Sequence, residues 1–237
     1  MEESTLRRTI GLADSCELMT AAFAFPDEAL APALSDGSFR DDAVACLADA
    51  GAGATALDEA AADLAGLVGV DATELSGRLR KGHTILYLTP GHDVPVWPYE
   101  AAFRYTAEHH EGAPALFRSA RTIDVERHMR EAGVLPKTAR TEPADSVWNE
   151  FSFLAYLYGS SAAALQEGRS GDALVWHDRA ARFWDEHAGC WLFGFMARTR
   201  EEAPGKTFGE EYAALASLGL IVLETVRADV AHWKNRA

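Results

Sequence analysis

The donor groups most open to chemistry in this 237-residue chain are its eight histidines, whose imidazole nitrogens bind zinc or iron when several converge on one ion. His109, His110 and Glu111 supply donors in a row, but neighbours on a helix point apart, and one such segment cannot focus them on a single ion. His83 and His92 flank a proline-rich stretch, while His177 and His187, ten residues apart, fall on roughly opposite helix faces. No HExxH pattern and no i, i+4 histidine pair occurs, so the expectation is core-satisfied or exposed imidazoles, with no metal and no cofactor. A helical metalloenzyme using His109 or His110 with Glu111 and carboxylates of other helices is the alternative. Nucleophilic chemistry is poorly supplied as well: there is no GxSxG elbow, no phosphate-cradling glycine loop and no kinase motif set. Cys190 stands three residues from His187, yet Trp191, Leu192 and Phe193 beside it argue for a core thiol. The three cysteines, Cys16, Cys46 and Cys190, are odd in number and lack a CxxC pair, which reads as buried free thiols in a reducing compartment.

The elements that must position any site are helices. Alanine and leucine dominate, isoleucine is rare and strand-type alternation is nearly absent, so the chain reads as all-α, a single-domain bundle of roughly ten or more helices. Leu6, Ile10, Ala13 and Leu18 place a first helix over 4–23, stopped by Pro26. Short helices follow over 27–34 and 39–50, then one over 54–68 closed by Gly69, then one capped by Asp71 with Glu74 behind it and running to about Leu88. The stretch Thr89–Pro98, TPGHDVPVWP, holds three prolines and a glycine and must be a loop packed on the body through Val94, Val96 and Trp97. Helix resumes over 99–111 and 123–132. Thr141-Glu142-Pro143 reads as the start of a helix reaching Gln166, with Thr141 as its cap. Further helices are expected over 170–187, with Gly189 as a break, over 190–200, and from a Thr207 cap with Glu210 to Trp233. The polar connector 136–141 divides possible sub-bundles, 1–135 and 141–237, that share one core, and it would permit a domain-swapped dimer as readily as a monomer.

Charge narrows the partners. Asp and Glu number 36 against 22 Lys and Arg, a formal charge of -14, which nearly excludes a general nucleic-acid binder and disfavours an anionic membrane surface. A cationic peptide or protein segment is the favoured charged partner. The longest apolar run, Ala213–Leu223, falls far short of the ~20 residues that span a bilayer. The opening MEESTLRRTI has no apolar stretch behind it, and Asp14 and Glu17 spoil the superficial twin-arginine look of Arg7-Arg8, so a cytoplasmic protein without a signal peptide is expected.

Three segments stand out: the aromatic proline loop from Pro90 to Phe103, the stretch Glu142–Leu154, and Phe183–Phe193. In the second, Glu142, Asp145 and Asn149 fall at helical spacing, with Phe151, Leu154 and Tyr158 as an opposite apolar stripe. Pro90-Gly91, Pro98-Tyr99-Glu100 and Phe103 match a loop of the form GPGxxxPP[YW]ESVY. Glu142-Pro143, Asp145, Glu150 and Phe153-Leu154 match EPDDHxxxELxFL, and Phe183, His187 and Trp191 match FxxxHxxxW. In order and spacing these resemble the TorD/DmsD/NarJ family of molybdoenzyme maturation chaperones. Ser146 stands where that signature has histidine, and Ala101 where the loop has serine, which suggests a divergent subgroup with a different client.

The resemblance implies an all-helical, non-enzymatic, cytoplasmic chaperone. It would bind the N-terminal region, often a twin-arginine signal peptide, of a molybdopterin oxidoreductase of the DMSO-reductase class, assisting cofactor insertion and delaying export. Such a receptor needs carboxylates for guanidinium forks and an apolar groove for the stretch behind them. Glu142 and Asp145 are candidate acids. Trp97, Tyr99, Phe103 and Trp148 are candidate wall, and Glu100, Ser146 and Asn149 complete the peptide-binding set. Plainer roles stand beside these: Glu142 and Asp145 as complements to a helix dipole, the aromatics as core, His187 and Trp191 as packing, and Glu100 as a holder of loop amides.

Overall fold

The computed structural model describes residues 2–89, 94–110, 114–134 and 142–235. Its helices are α1 (Glu2–Phe23), α2 (Leu30–Asp36), α3 (Ser38–Ala50), α4 (Ala54–Ala65), α5 (Ala72–Tyr87), α6 (Glu100–Ala107), α7 (Ala120–Glu131), α8 (Val147–Gln166), α9 (Ser170–Phe183), α10 (Gly189–Glu202) and α11 (Glu210–Lys234). A π-helical turn, Trp184–Ala188, joins α9 to α10, and a short 3-10 turn, Ala203–Gly205, leads towards α11. Among the described residues there is no strand, and the one isolated bridge pairs Tyr99 with Ser146. The all-α expectation holds.

Helix α1 lies along α8 and α3, α8 continues onto α9, and α10 packs along α11. The buried face of α1 includes Leu12, Cys16, Met19 and Phe23; of the residues whose spacing marked the helix, Ala13 reaches the core and Leu18 packs against it, whereas Ile10 is 40% exposed. Helices α1 and α3 approach so closely at Gly11 that a Cβ there would strike the backbone of Cys46 and Ala50. An aromatic knot then ties both halves of the chain together. The Phe23 ring sits 5.5 Å from that of Phe195, and Tyr87 sits 5.4 Å from Tyr212 in an edge-on arrangement. Such rings carry large apolar areas out of water and add a preference for edge contacts. His83 is buried among them with Nε2 3.1 Å from the Phe23 carbonyl oxygen. Desolvation pushes its pKa down to about 4, so it sits there as neutral imidazole.

Local signals explain several boundaries. Asp71 Oδ1 accepts from the amides of Thr73 and Glu74 and starts α5 as the capping pattern requires. Other boundaries moved. Helix α8 begins at Val147 with Ser146 as its cap, while Glu142–Asp145 form a turn in front of it and Thr141 lies outside the described residues. Helix α11 begins at Glu210 behind Gly209, so Thr207 is not its cap. Gly189 does not break the chain. It is helical, and a side chain there would strike the Trp184 indole at 2.8 Å, so glycine admits that ring beneath the π-turn. The thiols are not uniformly buried either: Cys16 is buried, Cys46 intermediate and Cys190 exposed. The three residues after Cys190 turn their apolar side chains inward or sideways while Cys190 stays on the outer face.

Candidate functional site

The proline loop is sewn to the entry of α8. Glu100 N donates to Asp145 O at 2.8 Å and Val147 N to Pro98 O at 2.9 Å, the two bonds that flank the Tyr99–Ser146 bridge. The side chains complete the joint. Asp145 Oδ2 accepts from Ala101 N at 2.9 Å, satisfying a first-turn amide of α6 across 44 residues of chain. Ser146 Oγ accepts from Asn149 N at 3.3 Å, and Asn149 Nδ2 donates to Pro143 O at 3.1 Å. One dipeptide, Asp145-Ser146, therefore caps two helices, which explains an acid beside a small hydroxyl at this point. Both residues are wholly buried. Desolvation outweighs the Ala101 amide and pushes the Asp145 carboxyl up to about 6.

Inside this joint lies a second layer of charge. Glu100, also fully buried, accepts from Arg104 Nη1 on Oε1 at 2.8 Å and from His187 Nδ1 on Oε2 at 2.7 Å. Glu150 accepts from Trp191 Nε1 at 2.8 Å. Burial, reinforced by the charge of Glu100, holds the Glu150 carboxyl well above the usual carboxylate range. On the far side of His187, Nε2 lies 3.2 Å from Asp124 Oδ2 on α7; His128 Nε2, one turn along α7, lies 2.8 Å from Glu186 Oε2. The π-turn carries Glu186 and His187 and brings both to one place. Asp124, His128 and Glu186 escaped the sequence reading. The one available signal was the i, i+4 spacing of Asp124 and His128 within a predicted helix; a π-turn leaves no comparable mark.

A groove of about 570 Å³ opens beside the loop, between Val94–Trp97, α6 and α10. Trp97 and Phe103 line it together with Gly194, Ala197, Arg198, Glu201 and His109. Phe103 packs onto Trp191, ring centroids 5.7 Å apart. Tyr99, Trp148, Glu142 and Asn149 gather at the α8 entry and are not among the groove's lining residues. There the Tyr99 and Trp148 rings meet edge-on at 6.0 Å. Burial, then the charges of Glu142 and Asp145, push the Tyr99 hydroxyl up to about 12. Of the nine residues expected to touch a peptide, Trp97, Tyr99, Phe103, Glu142 and Asn149 are half-buried, whereas Glu100, Asp145, Ser146 and Trp148 lie inside the fold. Among the described residues Glu100 bonds Arg104 and His187, while it is Asp145 that accepts from a backbone amide, that of Ala101 in the first turn of α6. His110 is bonded to the exposed Glu108 at 3.1 Å, and Glu111, like Pro90–Asp93, lies outside the described residues.

Among the described residues no helix is long and apolar enough to cross a membrane. No curated protein and no solved structure matches the chain. A family model described as the nitrate reductase delta subunit matches residues 50–197, more than half of the chain, and this span holds the loop, the α8 entry, the buried acids and the π-turn. The chain therefore belongs to the nitrate reductase delta subunit family, a family of molybdoenzyme maturation chaperones that act on the catalytic subunit.

Proposed function

We propose that this chain is a cytoplasmic, non-catalytic chaperone that grips the N-terminal signal segment of one molybdopterin oxidoreductase until cofactor insertion is complete. The supporting observation is the groove beside Trp97 and Phe103: concave, aromatic-walled and edged by Glu201. An apolar signal stretch would lie against Trp97 and Phe103, and its paired arginines would reach the acids. The net charge of -14 favours encounter with such a cationic segment; a contact to an exposed acid such as Glu201 adds under about 1 kcal/mol, so selectivity rests mainly on how the apolar stretch seats against Trp97 and Phe103. Tyr99, Glu142 and Asn149 form a second contact region at the α8 entry. Glu100, Asp145, Ser146 and Trp148 serve from within, holding loop and helix in register so that the groove exists before the peptide arrives.

The test is calorimetric titration with a synthetic peptide of an arginine pair followed by an apolar stretch, against a control with the arginines replaced by glutamines. Truncation of a central aromatic anchor costs about 2 kcal/mol or more, so Trp97→Ala should weaken binding by roughly thirtyfold. Trp97 is half-buried, so circular dichroism of the variant should stay native. A folded Trp97→Ala protein that binds as the parent does, or a parent that prefers the glutamine control, would overturn the reading.

A further inference from the structure

Four donor groups from two elements meet at one point outside the groove: Asp124 and His128 of α7, Glu186 and His187 of the π-turn. Their ligating atoms all lie within 4.8 Å of one another. The closest cross-element pairs, His128 Nε2 to Glu186 Oε2 at 2.8 Å and His187 Nε2 to Asp124 Oδ2 at 3.2 Å, lie below the ~3.4 Å that separates donors around a tetrahedral ion bound at about 2.0–2.1 Å, and no pair exceeds 4.8 Å, so small side-chain rotations reach that spacing. Both imidazole side chains are almost fully buried, at 2% and 4% exposed, while the two carboxylates, at 41% and 43%, keep a path open to solvent.

The orientation of His187 adds an independent observation. Its Nδ1 lies 2.7 Å from the wholly buried carboxylate of Glu100, and the tautomer that donates there presents Nε2, 3.2 Å from Asp124 Oδ2, as the nitrogen that faces the cluster. A carboxylate that orients an imidazole from behind in this way is the usual support of a metal-bound histidine. Two neighbours in a helix do not ordinarily face one target. The wide π-turn lets Glu186 and His187 do so, and such turns occur disproportionately at functional sites.

We propose that Asp124, His128, Glu186 and His187 bind one divalent transition-metal ion of the zinc class, with Glu100 as the residue that positions His187. The donor set of nitrogen and oxygen without thiolate suits zinc, and cobalt as its spectroscopic substitute. Arg127 is the competing cation. Its guanidinium reaches Asp124 at 2.7 Å, stands 3.2 Å from His128 Nε2 and 3.6 Å from Glu186, and also pairs with Glu131 at 2.9 Å. In the metal-free protein it supplies the positive charge; on metal binding it stays with Glu131. The ion clips α7 to the α9–α10 junction and, through Glu100, to the first turn of α6.

The probe is cobalt(II), then zinc, added to the tag-free, chelator-stripped full chain. The expected result is one equivalent of cobalt with the intense visible bands of a tetrahedral ion, displaced by zinc. Glu186→Gln, at the exposed edge of the cluster, and His128→Gln should each weaken zinc binding at least tenfold in calorimetry while circular dichroism stays native, and Arg127→Gln should strengthen it. The inference is overturned by absence of a stoichiometric site, by octahedral cobalt spectra, or by affinity unchanged in a folded Glu186→Gln protein; any of these leaves a salt-bridge cluster closed by Arg127 alone. Peptide titration is a separate readout, so failure here does not bear on the groove.

Discussion

Asp145→Asn isolates the cost of holding a carboxylate inside the joint between α6 and α8. The side chain is fully buried, and desolvation lifts its pKa from 3.8 up to about 6 against the pull of the Ala101 amide. A carboxyl whose folded pKa exceeds its unfolded value binds more protons in the native state, so its contribution to stability is lost as pH rises between the two values. With 1.36 kcal/mol for each pH unit, a lift of about two units removes ~3 kcal/mol, half of it by about pH 5 and nearly all of it by about pH 7. Asparagine keeps an oxygen for the Ala101 amide and carries no charge to desolvate. Urea unfolding of both proteins, followed by circular dichroism from about pH 4 to about pH 7.5, gives the comparison. Low protein concentration is needed near the pI of 4.9. At the acid end the two stabilities should agree within about 1 kcal/mol, because protonated aspartate and asparagine are near equivalents; at neutral pH the variant should be more stable by about 2–3 kcal/mol. Other titrating groups cancel in the difference to first order. A difference that stays constant across the range would mean that the carboxylate is hydrated and that the joint is not the dry structure described.

Two further outcomes follow from the same geometry. Trp191→Phe keeps most of the buried ring but removes the Nε1 donor to Glu150; leaving that buried carboxyl without its partner should cost about 1–3 kcal/mol in the same urea experiment. Iodoacetamide should alkylate one thiol per native chain quickly, at the exposed Cys190; Cys46, with its pKa pushed up to about 11, should follow slowly, and the buried Cys16 should react only after unfolding, a sequence that peptide mass mapping reads directly.

The sequence by itself determined the kind of molecule this is. Helix-forming composition, caps such as Asp71 and stops such as Pro26 act over a few residues, and the helices they delimit appear where local chemistry demands them. The order of loop, acid turn and aromatic hairpin was also readable, because each is a contiguous run, and it pointed to the chaperone family that the matched span establishes. What tertiary structure alone decided is which way those residues face. Asp145 and Glu100 are charged in composition, and nothing local says that one caps a helix begun 44 residues earlier in the chain or that the other orients His187, 87 residues away. Cys190 shows the opposite limit, since apolar neighbours along the chain say little about one helical position when successive side chains turn by about 100°. The convergence of Asp124 and His128 with Glu186 and His187 needed both a tertiary contact and a π-turn, and a single inserted residue's worth of helical slack is invisible to a periodicity of 3.6. Local chemistry thus sets the elements and their ends. Direction and partnership of buried charge arise only when distant elements close on one another and water is removed, because desolvation is a property of the assembled interior and not of any one segment.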